Sequence, residues 1–188
     1  SEYLLVSRNT LVSDIEALKK WFKKNDLSLL SHIGKGYKVA GNEVHIRSAM
    51  TKLVIFNGLF DYGYDYALGW ENNIFQNLLL EIIDPDTRYQ EVSQLLMEAE
   101  KEEQLQLSDF SYHEMVCYLI IMIERIKHDQ RIDVTENLAE LQESSKAHFA
   151  QTIIEKIEQR YGIIAEDGEL GYLISILRRK SYIKNNGR

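Results

Sequence analysis

The side chains best suited to a functional site are basic and polar residues in the first quarter of this 188-residue chain. Arg8, Asn9 and Thr10 stand at the start of a helical pattern, where a recognition helix presents side chains to base edges in the major groove. Lysines further on supply phosphate contacts that do not read sequence. An ordinary amphipathic helix with a solvated lysine face has a similar composition. The candidate DNA-binding set is Arg8, Asn9, Thr10, Lys19, Lys20, Lys35 and Lys38.

Residue patterns typical of catalytic or metal sites are incomplete. His113-Glu114 and Cys117 give an H-E-x-x-C pattern, which lacks the second histidine of the zinc-protease motif. His113 and Cys117 are four residues apart and could hold a metal from one helix face, but the sequence suggests no third ligand. His128 and His148 lie in polar surroundings and are interpreted as surface residues. We expect no catalytic residue, no metal and no cofactor, and a protein that is not an enzyme.

Charge is divided unevenly along the chain. Residues 1–52 hold nine Lys and Arg against five Asp and Glu, a net charge of +4; the remainder holds thirteen against twenty-four, a net charge of −11. Such asymmetry is typical of a nucleic-acid-binding piece joined to an acidic body. The single cysteine, the lack of a long apolar run and a start without a signal-peptide pattern predict a soluble, cytoplasmic protein with no membrane association.

Two local elements would position the basic residues. Behind Ser7, a candidate N-cap, apolar residues recur at helical spacing and predict a helix over residues 7–24. Residues 27–40 contain two short alternating runs around Gly-Lys-Gly at 34–36, which predicts a β-hairpin. A helix followed by a small basic hairpin is the arrangement of a winged helix-turn-helix.

The remainder of the chain predicts helices without strands. The expected fold is mainly α, a partial winged helix-turn-helix followed by a five-helix bundle. The third helix of the bundle is apolar nearly all round from Met115 to Ile123, which indicates a buried element. The helices are expected at about 70–83, 88–105, 110–128, 136–161 and 167–180. The expected domains are 1–52 for DNA binding, 53–67 as a linker and 68–188 as the bundle.

Several short segments together resemble one family of bacterial regulators. The head contains V-S-R at 6–8, G-Y at 36–37 and I-R at 46–47, and resembles the DNA-binding region of mannitol and lichenan operon activators. The body contains L-I-I-M-I-E-R-I-K at 119–127 and G-E-L-G-Y-L-I-S-I-L at 168–177. These resemble the signature segments of the phosphotransferase regulation domain (PRD) that the same regulators carry. The resemblance implies a five-helix PRD bundle, preceded by a helix-turn-helix that begins inside its own motif.

The resemblance also shows a departure from the family pattern. In the family, proteins of the sugar phosphotransferase system phosphorylate histidines on two facing helices, and the added charge repacks the domain dimer. This chain has Tyr118 and Ile176 at the positions that the resemblance assigns to those histidines. Neither side chain accepts phosphate from a phosphohistidine relay in the usual way, and Arg125 and Arg178 are poorly spaced to balance a phosphate there. We expect Tyr118 and Ile176 to lie close together in a fixed dimerisation and packing element.

Three functions remain open from the sequence. The first is a DNA-binding activator of a sugar operon, a homodimer on operator duplex, with phosphotransferase-system proteins as candidate partners. The second is an RNA-binding antiterminator, since such relatives carry the same regulatory domain. Their RNA-binding module is a small β domain, however, whereas residues 7–24 predict a helix. The third is a non-catalytic module that dimerises or binds a transport-system protein.

Overall fold

The computed structural model describes residues 7–56, 85–134 and 137–183. The chain forms two compact units, Ser1–Ala49 and Met50–Arg188. The elements are α1 (Arg8–Lys24), β1 (Ser28–His32), β2 (Gly36–Ala40), α2 (Glu43–Phe56), α3 (Pro85–Glu103), α4 (Asp109–Lys127), α5 (Leu138–Gln142), α6 (Ala147–Tyr161) and α7 (Asp167–Leu177). The predicted mainly helical fold is confirmed. Across the described ranges, no helix is long and apolar enough to cross a membrane.

Helix α1 begins where its capping residue predicts. The Ser7 hydroxyl accepts a hydrogen bond from the Thr10 amide at 3.1 Å, which satisfies one of the amides that a helix start leaves unpaired. At the other end, the Asn25 side chain donates to the Trp21 carbonyl at 2.9 Å, and Asp26 turns the chain with a φ of 56°. The helix predicted over residues 7–24 is therefore confirmed to within one residue.

Strands β1 and β2 form the predicted hairpin. They pair antiparallel from Ser28 opposite Ala40 to His32 opposite Gly36. The Lys35 amide donates to the His32 carbonyl at 3.0 Å across the turn. Gly34 and Gly36 have φ angles of 73° and 87°, a region that side chains other than glycine rarely adopt. The turn conformation thus explains both glycines of the 34–36 sequence.

Helix α2 was not predicted from the sequence. The Asn42 side chain accepts a hydrogen bond from the Val44 amide at 2.9 Å and caps the helix start. Arg47 is fully buried, and its Nε donates to Glu43 Oε1 at 2.9 Å. The helix continues to Phe56, so residues 53–56 of the predicted linker are helical. The rest of that linker lies outside the described residues, and the domain bounds 1–52, 53–67 and 68–188 stay a prediction.

The core of the second unit is built around α4. Every residue from Met115 to Ile123 is buried, as the apolar sequence predicts. A helix that is buried on all sides needs neighbours on all sides. Helix α3 packs against both α4 and α6, and α7 packs against α5 and α6. Val54, near the end of α2, belongs to the same hydrophobic cluster.

Three of the predicted bundle helices need correction or lie outside the described residues. The helix expected at 136–161 is two helices, α5 and α6, because a turn intervenes. In that turn the Ser144 hydroxyl accepts from the Lys146 amide at 3.3 Å, a local bond that competes with helix continuation. The helix expected at 167–180 ends at Leu177. The helix expected at 70–83 lies outside the described residues.

A close contact holds the loop after α4 against the start of α7. The fully buried Glu169 carboxylate accepts a hydrogen bond from the Ile132 amide at 3.1 Å. Gly168 lies so near that a methyl group on its Cα would overlap the Ile132 carbonyl oxygen. We call this contact the Ile132 clasp. It gives a steric reason for glycine and a polar reason for glutamate at the start of α7.

Substitution of Gly168 tests the clasp. We expect Gly168→Ala to lower the free energy of unfolding by at least about 2 kcal/mol, because backbone rather than a flexible side chain would have to move. Gly162→Ala is the matched control, since its φ is 63° but no atom lies within 4 Å of the added methyl. That control should cost about 1 kcal/mol, from backbone conformation alone. Urea unfolding measures both, and equal losses would contradict the steric explanation.

Candidate nucleic-acid interface and regulatory core

The N-terminus of α1 exposes the three polar residues that the sequence singled out. Arg8, Asn9 and Thr10 are all exposed. The Thr10 hydroxyl lies 2.8 Å from the Ser7 hydroxyl, so it forms part of the helix cap and would have to exchange that bond for one to a base. Arg8 and Asn9 therefore present the side chains better suited to base contact. The positive end of the helix dipole also favours a phosphate here.

The lysines of α1 differ in their surroundings. Lys19 Nζ donates to Glu16 Oε1 at 2.8 Å. Its hydrogen bond to Glu16 raises the pKa of the Lys19 ammonium, and nearby Tyr37 on β2 adds to the effect. Helix α1 packs on β1 of the hairpin. Lys20 is exposed, and within residues 7–56, 85–134 and 137–183 it forms no ion pair.

The hairpin carries positive charge without a compensating carboxylate. Lys35 lies in the turn, and Lys38 lies on β2 opposite Leu30. No Asp or Glu occurs from residue 27 to residue 42. Among the described side chains, neither lysine is in an ion pair. An acid-free basic hairpin is the charge pattern that a polyanion favours.

The candidate residues form two groups rather than one patch. Lys19 lies eleven residues after Arg8 on α1, which corresponds to about 16 Å of helix. The first group is the polar triplet at the N-terminus of α1, and the second is the pair of lysines on the hairpin, on which α1 packs. The sequence-based set thus predicts one contact at the helix start and another near the hairpin.

The histidines of the second unit have defined neighbours. His113 Nδ1 lies 3.0 Å from the Tyr89 hydroxyl, and its Nε2 lies 3.8 Å from Cys117 Sγ. His148 is 83% exposed, and its Nδ1 donates to Glu103 Oε1 at 2.6 Å. Hydrogen bonds from Thr152 and from His148 hold the pKa of the Glu103 carboxyl below its usual value. In the described part of the chain, no three His, Cys, Asp or Glu side chains converge as metal ligands would.

Tyr118 and Ile176 lie in the buried core between α4 and α7. They are 4% and 8% exposed and belong to one hydrophobic cluster. The Tyr118 ring packs edge to face on Tyr172, with 5.7 Å between ring centroids. Ile176 follows Tyr172 by four residues, one turn along the same face of α7. Direct contact between Tyr118 and Ile176 stays a prediction.

A shallow groove of about 490 Å³ borders this part of the core. Tyr172 and Arg178 both line it, so a guanidinium lies nearer to the Tyr118–Tyr172 contact than sequence spacing suggests. Arg178 is nevertheless exposed at the end of α7, where water competes for its charge. The groove is lined by Asn137, Leu141, Tyr172, Ser175, Arg178 and Arg179.

Comparison with known proteins assigns families to both parts of the chain. The model of the Mga helix-turn-helix domain matches residues 1–54, and that of the PRD domain matches residues 93–180. The two matches together support a PRD-containing regulator. The transcriptional regulator ManR of Bacillus subtilis (strain 168) is 25% identical over 171 residues, which cover 89% of this chain. The chain spans only 24% of the length of ManR.

The PRD domain contains features that the sequence analysis missed. Tyr172 lies in one of the signature segments, but the sequence did not predict its packing on Tyr118. The Ile132 clasp also joins the two signature segments of the body. Glu169 belongs to the second segment, and Ile132 follows the first. The signal available was a glutamate inside an apolar helix segment, which indicates a buried carboxylate with a backbone partner.

Substitution of Tyr118 tests how the PRD core tolerates the histidine that the sequence resemblance predicts at this position. We expect Tyr118→His to lower the free energy of unfolding by about 1–3 kcal/mol, because a polar ring would enter an apolar site without an assured partner. Tyr118→Phe is the control, since it keeps a six-membered ring against Tyr172. In chemical denaturation, the phenylalanine variant should have a higher free energy of unfolding than the histidine variant. A histidine variant as stable as the parent would show that the site already suits imidazole.

Proposed function

We propose that this chain is the DNA-binding and first regulatory part of a transcriptional regulator of a sugar operon. The observation that carries the proposal is α1, with exposed Arg8 and Asn9 at its N-terminus and an acid-free basic hairpin packed against it. A helix start and a basic hairpin suit the major groove and the flanking phosphates of duplex DNA. The Mga helix-turn-helix match over residues 1–54 supports the same target.

The RNA-antiterminator alternative fits these elements less well. An antiterminator's RNA-binding module is a small β domain, whereas the first described element here is a 17-residue helix. The hairpin β1–β2 is the only sheet among the described residues. The third alternative, a module that dimerises or binds a transport-system protein, concerns the PRD domain and is compatible with DNA binding by the first unit.

The proposed partners follow from the proposed target. Operator duplex would be bound by a homodimer, as half-site symmetry favours for helix-turn-helix proteins. A cytoplasmic location agrees with a DNA target. Proteins of the sugar phosphotransferase system are candidate partners of the PRD domain, with binding rather than phosphorylation of Tyr118 or Ile176 as the mode of contact.

We propose that the PRD domain acts without the usual phosphohistidine switch. Tyr118 and Ile176 fill buried core positions, where a phosphate would need cationic partners to offset its charge. Isoleucine offers no nucleophile, and a phenol does not accept phosphate from phosphohistidine by the usual chemistry. The domain would then contribute fixed packing and dimerisation rather than a charge-driven change in shape.

The salt dependence of DNA binding tests the nucleic-acid proposal. In the full-length protein, affinity for duplex DNA should fall steeply as salt rises, because each neutralised phosphate releases counterions. Lys35→Ala or Lys38→Ala should each lower the slope of log affinity against log salt by about 1. Lys101→Ala, in the acidic region at the end of α3, is the control and should leave the slope unchanged. Preferential binding of a structured RNA leader over duplex would replace this proposal with antitermination.

Incubation with a reconstituted phosphotransferase relay tests the loss of the switch. We expect no added phosphate by mass measurement under alkaline conditions, which preserve phosphohistidine. Tyr118→His in the same assay should accept at most a small fraction of a phosphate, since Arg178, which lines the groove beside Tyr172, is solvent-exposed. Stoichiometric phosphate on His113 or His148 would show that the switch has moved. His113 has both ring nitrogens close to protein atoms, so His148 is the position to inspect first.

A further inference from the structure

The groove of about 490 Å³ beside Tyr172 is positively charged although the body of the chain is acidic. We call it the α5–α7 groove, because its lining residues come from the start of α5 and the second half of α7. Residues 53–188 hold thirteen Lys and Arg against twenty-four Asp and Glu. The described residues that line the groove nevertheless include Arg178 and Arg179 and no carboxylate. Such a local excess of positive charge favours an anionic ligand.

The two arginines have N–H donors to offer a ligand. Arg178 is exposed, and within the described ranges its guanidinium forms no ion pair. Arg179 donates from Nε to the Ser175 carbonyl at 3.1 Å, a bond that orients its guanidinium and leaves the terminal N–H groups. A guanidinium is a planar fork whose N–H groups match two oxygens of a phosphate. Two such forks in one groove suit a phosphate that carries about two negative charges at neutral pH.

A second groove indicates on which side of Arg178 an anion would lie. That groove, of about 400 Å³, also contains Arg178, but Glu140 and Glu143 are among its lining residues. Its other cation, Lys146, has its Nζ 3.8 Å from the centre of the Tyr182 ring. The two carboxylates would repel an anion there. The charges therefore direct an anion to the α5–α7 groove, where Arg179 adds to Arg178.

The rest of the α5–α7 groove suits an uncharged, hydroxylated part of a ligand. Leu141 is buried and Tyr172 is half-buried, and both contribute apolar surface. The Asn137 side chain makes no capping bond at the start of α5, so its amide is available to donate and to accept. The Ser175 hydroxyl donates to the Tyr172 carbonyl at 2.7 Å and keeps its lone pairs for a donor on a ligand. Apolar surface with a few polar groups is typical of small-molecule sites, whose volumes are about 300–1,000 Å³.

We infer that the α5–α7 groove binds a small phosphomonoester of a sugar or polyol. Its phosphate would contact Arg178 and Arg179, and its carbon skeleton would lie on Tyr172. A free phosphate ion would leave most of the groove empty, whereas a hydroxylated skeleton also reaches Asn137 and Ser175.

The inference deepens the proposed function and rests on the proposed absence of the phosphohistidine switch. A bound phosphomonoester would bring to the PRD domain a metabolic signal that Tyr118 and Ile176 do not accept covalently. Tyr172 packs on Tyr118, so the ligand would contact the core beside the substituted position.

Calorimetric titration of the full-length protein tests the inference. The probes are glucose 6-phosphate, glucitol 6-phosphate and glycerol 3-phosphate, with glucose and inorganic phosphate as partial ligands. At least one of the three phosphomonoesters should bind at least about tenfold more tightly than either partial ligand, because each of these lacks one set of contacts. Binding should weaken as salt rises, since the arginines are exposed to solvent.

Variants of Arg178 locate the site. Arg178→Ala should weaken binding of the phosphomonoester by about tenfold or more, the effect of losing a charge-assisted hydrogen bond. Arg178→Lys should recover part of the affinity, because lysine keeps the charge without the fork. Lys101→Ala is the matched control, since it removes the same charge from an exposed residue that does not line the groove, and it should bind as the parent does. The melting temperature of ligand-free Arg178→Ala should match that of the parent.

Other results would contradict the inference. If none of the three phosphomonoesters binds, the inference is wrong. Inorganic phosphate that binds as tightly as the esters would indicate an unselective anion site and would overturn the assignment of a phosphomonoester. Equal binding by Arg178→Ala and the parent would place the ligand elsewhere. The proposed absence of the switch fails by a different measurement, the appearance of phosphate on the chain after incubation with the relay.

Discussion

The complete burial of the middle of α4 is the constraint on which the second unit depends. Its residues from Met115 to Ile123 leave no side of the helix for water, so the neighbouring helices must enclose it. Such a position admits a polar side chain only with a partner, since an unpaired polar group in an apolar interior is costly. Tyr118 contributes a large ring that packs on Tyr172 of α7.

The contacts around α4 also explain how the ends of the helix are held. At its start, the Ser108 amide donates to the Ser181 carbonyl at 2.9 Å, and Leu107 bridges to Tyr182. After its end, the Ile132 clasp fixes the chain against α7. The central helix is therefore tied at its start to the segment after α7 and, beyond its end, to the first turn of α7. These ties fix both ends of α4 within the second unit.

The first unit differs from the second in where its polar and charged side chains lie. Helix α1 buries none of its residues completely, whereas Arg47 on α2 is fully buried and hydrogen-bonded to Glu43. Polar and charged groups thus remain at the surface of α1 and of the hairpin. Their exposure costs nothing in desolvation and leaves them available to a polyanion.

Local sequence patterns by themselves determined most of the secondary structure and the candidate residues. Ser7, the spacing of apolar residues and the two glycines of the turn predicted α1 and the hairpin, because caps and turns depend on neighbours within four residues. These local patterns did not predict α2, which is capped by Asn42. They also did not predict the turn at Ser144, where a local hydrogen bond interrupts a regular apolar repeat. Only the tertiary structure decided which partners meet. Glu169 and Ile132 are 37 residues apart, and Tyr118 and Tyr172 lie on different helices. No helical or strand period encodes such separations, since they arise from how whole elements pack around the buried α4.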